Sequence, residues 1–272
     1  YTSGVLLALD PRLSLGMLHR NFSEDYQTLN SNAISESSRN VNEQGTYIGL
    51  VARPYKGFTF SAYYDQFKFP WLRFRVDAPS DGVDYLLQLN YKPNRNSEFY
   101  VRYRQEIKGR NSREDITEVR PVEEENRQQL RLHGSYPASS SFLLRSRVEF
   151  SWYQLGETEQ LTGFMAYQDI SYRSLGSPVT VTLRYALFDT ESFDARIYAY
   201  EHDVLYFFNV PAYSGRGSRM YVLVKYRIRR GIDLWLRYAQ SYFSDRDEIG
   251  SGLNTINGNT RSEFKAQVRF RF

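Results

Sequence analysis

The stretch that most constrains this chain is its closing one, Arg261-Ser262-Glu263-Phe264-Lys265-Ala266-Gln267-Val268-Arg269-Phe270-Arg271-Phe272. At a period of two, Phe264, Ala266, Val268, Phe270 and Phe272 share one face, while Lys265, Gln267, Arg269 and Arg271 share the other. Such a strand needs an apolar medium on one side and water on the other. A soluble sandwich supplies both, with its polar face outward, and is the alternative reading. A strand that stops on an aromatic, with its alternate residues so uniformly cationic, fits better in a lipid-embedded barrel with a wet lumen.

The same alternation recurs upstream. Val179, Val181, Leu183, Tyr185 and Leu187 oppose Thr180, Thr182, Arg184 and Ala186; Leu144, Val148, Phe150 and Trp152 oppose Arg145, Arg147, Glu149 and Ser151. The segment from Leu161 to Tyr172 alternates least well, with Met165 and Gln168 on the wrong sides. Strands are predicted at Val5 to Leu9, Leu13 to Arg20, Thr46 to Ala52, Phe58 to Phe67, Val83 to Tyr91 and Phe99 to Glu106. Others follow at Leu130 to Tyr136, Phe142 to Tyr153, Leu161 to Tyr172, Val179 to Leu187, Met220 to Ile228 and Ile232 to Tyr242, before the closing strand. Tight links such as Pro54-Tyr55-Lys56-Gly57 and Arg229-Arg230-Gly231 alternate with long ones such as Ser23 to Gly45 and the charged Lys108 to Arg127. This pattern predicts an all-β protein: an antiparallel up-and-down transmembrane β-barrel of about 13 spanning strands, with short periplasmic turns and long external loops. Residues 1–272 are read as a single domain in the bacterial outer membrane, with outer-membrane lipid as its first partner.

Composition agrees. Mean hydropathy is −0.57, and no run of about 18 apolar residues exists to form a membrane helix, yet a barrel keeps its apolarity in every second residue. The 23 Tyr and 18 Phe suit aromatic girdles at two lipid–water interfaces. Cysteine is absent, and 35 basic against 31 acidic residues is too even a balance to argue for nucleic acid. If every tight link is periplasmic, the first strand runs downward and Tyr1 lies outside the cell. An even strand number then leads to the expectation of at least one strand upstream of Tyr1. A spanning strand over Arg196 to Tyr213 would repair the count, but it would put the long loops in the periplasm.

Two resemblances follow from these residues. Phe264, Val268, Phe270 and the terminal Phe272 resemble the signal that the barrel-assembly machinery reads at the C-terminus of outer-membrane barrels, which implies that machinery as a partner in biogenesis. Asp10-Pro11-Arg12-Leu13-Ser14-Leu15, Tyr198-Ala199-Tyr200-Glu201-His202-Asp203-Val204-Leu205-Tyr206, and Gly250-Ser251-Gly252-Leu253 with Gly258-Asn259-Thr260-Arg261 resemble the C-terminal barrel region of large outer-membrane proteins that carry an N-terminal helix-hairpin-helix domain. That resemblance implies further strands and a small soluble domain upstream, and brings no catalytic residues.

No catalytic residue, metal site or cofactor is assigned. His19, His133 and His202 are the only histidines and none has metal-ligand spacing. Glu201-His202-Asp203 offers a base with an orienting carboxylate, but neighbours on a strand point to opposite faces. Asp245, Asp247 and Glu248 lack the spacing of a calcium loop. The inward parity collects Arg102, Arg104, Arg131, Arg145, Arg147, Arg184, Lys225, Arg227, Arg237, Lys265, Arg269 and Arg271, against fewer acids such as Asp65, Asp84, Glu149 and Asp233. This basic wall reads either as an anion-concentrating pore or as Arg–acid bracing around a plugged bore. Residues 189–217 differ from a free polar loop: Tyr198, Tyr200, Leu205, Tyr206, Phe207, Phe208 and Tyr213, with His202 among them, form an aromatic-rich cap or partner-docking segment, expected as a strand or hairpin above the membrane. The function expected is a non-enzymatic channel or a scaffold subunit of an envelope transport or assembly complex, with other envelope proteins or an upstream part of the same protein as partners. A surface-facing hydrolase of protease or lipase type is the second reading.

Overall fold

The computed structural model describes residues 1–27, 34–113 and 119–271. Its strands are β1 (Thr2–Asp10), β2 (Leu13–Phe22), β3 (Glu43–Ala52), β4 (Phe58–Phe69), β5 (Ser80–Asn94), β6 (Ser97–Asn111), β7 (Val122–Pro137), β8 (Phe142–Leu155) and β9 (Leu161–Arg173). They continue with β10 (Val179–Thr190), β11 (Ile197–Tyr198), β12 (Ala212–Tyr213), β13 (Arg216–Arg229), β14 (Ile232–Phe243), β15 (Glu248–Ile249), β16 (Ile256–Asn257) and β17 (Thr260–Phe270). Thirteen form one sheet in the order β1 to β10, then β13, β14 and β17; β11 with β12 and β15 with β16 are small separate hairpins. The pairings whose registers are known are antiparallel.

Along this sheet the residues gather into two units. The first comprises Tyr1–Tyr91, Tyr100–Leu130 and Trp152–Gln160; the second comprises Lys92–Phe99, Arg131–Ser151 and Leu161–Phe272. In both, burial is inverted relative to a water-soluble protein. In the second unit Leu183, Tyr185, Leu187, Leu236 and Tyr238 are exposed, whereas Arg184, Asp233 and Arg237 are almost completely covered. In the first, Arg20, Glu43 and Asp65 are buried while Leu87, Leu89 and Tyr91 are exposed. Charged side chains are rarely buried unless paired, and here each of these has an ionic partner, so one face of the sheet is a charge-paired interior and the other an apolar belt. Aromatic pairs such as Phe58–Tyr91 in the first unit and Phe142–Tyr172 in the second lie on the belt beside the short turns, where a lower girdle belongs.

Three expectations are corrected. The charged region Lys108 to Arg127 is strand at both ends, since β6 runs on to Asn111 and β7 starts at Val122. Strands of 15 and 16 residues exceed the 9–11 or so that cross a bilayer, so their ends at the long connections are under no demand to alternate. The link from Ser244 to Thr260 that precedes the closing strand is not bare loop, since it contains the β15–β16 hairpin. Residues 191–215 do not stand above the sheet: they make the two-residue β11–β12 ladder and turn onto its polar face. Tyr1 lies at the end carrying the long connections, its amino group donating to the Asn21 carbonyl at 2.7 Å.

Candidate functional site

The inward-turned segment begins at a tight neck. Gly215 N–H donates to Thr190 Oγ1 at 2.8 Å and Thr190 N–H to the Gly215 carbonyl at 2.9 Å, which clamps the ends of β10 and β13 together. Gly215 has φ of 85°, a conformation that a side chain would strain. From the neck the chain buries Ile197, Ala199 and Tyr213 against Met165, Ala186 and Phe188. This cluster explains the faulty alternation of β9: Met165 points to the polar face because an apolar segment covers it there. Gly163 is part of the same fit, since a Cβ at that position would strike the Ala195 carbonyl and Ser151 Oγ.

Beyond the cluster the contacts become ionic. Arg219 of β13 donates to Glu201 through Nε at 2.7 Å and Nη2 at 3.0 Å, Arg237 of β14 donates to the same carboxylate at 2.5 Å, and the Tyr213 hydroxyl donates at 2.8 Å. Burial alone would raise the Glu201 carboxyl; the hydrogen bond and charge of Arg219, with Tyr213 and Arg237, outweigh it and hold the group below the ordinary glutamate range. Lys265 of β17 donates to Asp203 at 2.7 Å and sits 3.7 Å from the Phe207 ring centre. Lys265 is five residues along β17 from Thr260, so the segment descends ~17 Å along the strand from its rim.

The wall also grips the segment's backbone. Ser151 donates to the Ala195 carbonyl at 2.5 Å, Arg147 to Tyr198 at 3.0 Å, Arg184 to Tyr200 at 2.7 Å and Arg237 to His202 at 3.2 Å. Arg184 is itself held by Asp169 and stacked 3.7 Å from the Tyr167 ring. Arg145 donates to His202 Nε2 at 2.9 Å, which requires the neutral imidazole with its proton on Nδ1. Burial, then the Arg145 charge, pushes His202 below the ordinary histidine range.

The basic residues read from the sequence therefore have different fates. Arg145, Arg147, Arg184, Arg237 and Lys265 converge on the segment. Arg131 and Arg147 share Glu149, and Arg269 and Arg271 share Asp233. In the first unit Arg102 donates to Gln88 and Arg104 to Asp84. Lys225 lies over Trp235, and Arg227 is 3.7 Å from Asp233. Arg104, Arg131, Arg147, Arg227, Arg269 and Arg271 thus meet acids that parity had collected, whereas Arg184, Arg237 and Lys265 meet acids that it had not: Asp169, in the poorly alternating β9, and Glu201 and Asp203, in the loop. Arg219 was missed because it precedes the predicted start of its strand at Met220, although its parity with Tyr221 and Leu223 pointed inward. Arg20 was missed because its same-parity neighbours on β2, Leu18 and Phe22, are apolar; it donates to Glu43 at 2.6 Å and Asp65 at 2.7 Å.

Of the aromatic cap residues, Tyr213 is buried, Leu205 is half-buried, Tyr198 and Tyr200 are exposed, Phe207 lies against Lys265, and Tyr206 and Phe208 are 89% and 80% exposed. Phe264, Val268 and Phe270 are exposed on the apolar belt, and Phe272 lies outside the described residues. Glu201, His202 and Asp203 are not brought together as a catalytic group: each is bound to a different set of wall cations. In the first unit the buried Glu36, beside Lys108 at 2.9 Å, is pushed up to about 7 by burial, which outweighs the lysine.

No protein-family model matches the chain, and no curated protein does. Among solved structures it is similar to the copper transporter OprC, with a TM-score of 0.50 and 8% identity over 83% of this chain and 40% of that one. It is also similar to the NanC porin (TM-score 0.36, 12% identity, 85% of this chain and 94% of that one) and to a Pseudomonas aeruginosa FadL homologue (TM-score 0.38, 9% identity, 98% and 75%). The chain spans about 40% of the length of the copper transporter structure it matches. The fold is that of bacterial outer-membrane β-barrels.

Proposed function

We propose that this chain forms the wall and the constriction of an outer-membrane channel, in which residues 191–215 fold into the lumen and limit the bore, and that it carries out no catalysis. The observation that carries this reading is the latch: five wall cations from β8, β10, β13, β14 and β17 (Arg147, Arg184, Arg219, Arg237 and Lys265) hold one connection against the polar face. A connection that served only to join β10 to β13 has no need of a buried docking surface, and an inward loop is a standard way to narrow a barrel that would otherwise hold water. The likeness in fold to a copper transporter agrees with passage of a solute. A parent protein with upstream strands and a soluble helix-hairpin-helix domain is part of the same reading, resting on the sequence resemblance.

The test is conductance. The intact protein in planar bilayers is expected to show small channels, and replacement of residues 199–212 by a short Gly-Ser linker is expected to enlarge single-channel conductance several-fold while leaving the heat-dependent gel shift of the barrel unchanged. Equal conductance with and without the segment would overturn the constriction, and no conductance in either form would overturn the channel.

A further inference from the structure

The wall arginines are paired almost throughout, which makes one place in the second unit anomalous. Arg173 at the end of β9, Thr180 at the start of β10 and Lys225 of β13 form a single cross-strand row on the polar face, with Arg173 opposite Thr180 and Thr180 opposite Lys225. Side chains in such a row stand about 5 Å apart at Cβ. The two cations flank the threonine, the Lys225 ammonium lying 5.2 Å from the Trp235 ring centre on the far side of β13, and Arg227 follows two residues beyond Lys225. These residues line a cavity of about 560 Å³ with Ser140, Ser174 and Ser177, and no carboxylate lines it. The Arg173 N–H donates to the Ser141 carbonyl at 2.8 Å and the Arg227 N–H to the Pro178 carbonyl at 2.8 Å, so the backbones that carry the cations are tied to the two neighbouring turns. Asp233, 3.7 Å from Arg227, is already engaged by Arg269 and Arg271.

Elsewhere in this unit Arg131, Arg147, Arg184, Arg219, Arg237, Lys265 and Arg269 each have a carboxylate at 2.8 Å or less. A cavity lined by three cations and no carboxylate presents a positive potential that favours an anion. We propose that the cavity at the short-turn end of the second unit is a binding site for a phosphate group. A carboxylate is satisfied by one guanidinium fork, whereas three separated cations with serine and threonine hydroxyls between them suit a dianion whose oxygens point in several directions. Two sources supply that chemistry, a phosphorylated solute in the lumen and the headgroup of an anionic phospholipid. The site stands whether or not the bore conducts, because binding is measured without transport.

The experiment uses the intact protein purified in a zwitterionic detergent. Inorganic phosphate is titrated by calorimetry at neutral pH, and retention of phosphatidylglycerol is followed by native mass spectrometry. The wild type is expected to bind one or the other, and Arg173→Gln with Lys225→Gln to weaken that binding at least tenfold; phosphate binding identifies a solute site and lipid retention a headgroup site. Should the double variant lose the heat-dependent gel shift, Lys225→Gln alone, at a solvent-accessible position, is expected to weaken binding severalfold. Affinity for phosphate and for the lipid that is absent from the wild type, or equal in wild type and folded variants, would overturn the proposal.

Discussion

A single carboxylate, Glu201, holds more of the lumen segment than any other residue, because Arg219, Arg237, Tyr213 and Asn209 all donate to it. Glu201→Ala leaves two guanidinium groups in a covered site without their anion, a change that costs roughly 3–5 kcal/mol for a buried pair. The expected outcome is release of the segment with the sheet intact, read as new protease cleavage between residues 196 and 213 in detergent-purified protein without loss of the heat-dependent gel shift. Unchanged protection would mean that the apolar cluster alone secures the segment. Nothing in the sequence marked Glu201 for this role. It sits beside His202, where a catalytic reading competes, and the arginines that bind it lie 18 and 36 residues away. Parity found Arg237 because a strand's period is local; it could not find the acid, because loop residues have no period.

At the level of elements, the strands and their faces were legible and the fate of the long link was not. Alternation located all thirteen sheet strands to within a few residues wherever one face meets lipid. It failed where β6 and β7 run on beyond the length that crosses a bilayer and where β9 turns Met165 inward, both places where the medium on one side changes. The aromatic content of residues 189–217 announced that the link would be buried, but not against which surface. Its histidine makes the docking sensitive to acid. The folded form binds His202 neutral, through the proton that Arg145 donates to Nε2, with Arg184 and the Arg-bound Asp169 as the other charges facing the ring. A base whose folded pKa is depressed contributes stability that is complete above the ordinary histidine value and is lost as pH falls through it toward the folded value. Conductance is therefore expected to rise as the bath is acidified from about pH 7 to 5, and His202→Gln, which keeps an acceptor for Arg145, is expected to abolish that rise. A rise that persists in the variant would place the titrating group elsewhere.

At the scale of the whole molecule, the inverted burial makes a prediction that a soluble sandwich does not share. Leu236 faces outward on β14 in the middle of the apolar belt, while Gln240 faces the same way two repeats of the pleat nearer the long connections, beside Ser262. In lipid, Leu236→Arg is expected to destabilise the protein by roughly 2–4 kcal/mol and Gln240→Arg by about 0–1. Equal and small effects in a reversible unfolding titration would mean that water, not lipid, covers this face. The manner in which the segment is held also bears on how such a protein can change. Four of its anchors are carbonyls, of Ala195, Tyr198, Tyr200 and His202, and a carbonyl is the same whatever residue bears it. The wall thus imposes a path on the segment but little vocabulary, and the side chains at Tyr200, Tyr206 and Phe208 are open to replacement. Mutation can rewrite what the segment presents on this face while the socket stays as it is.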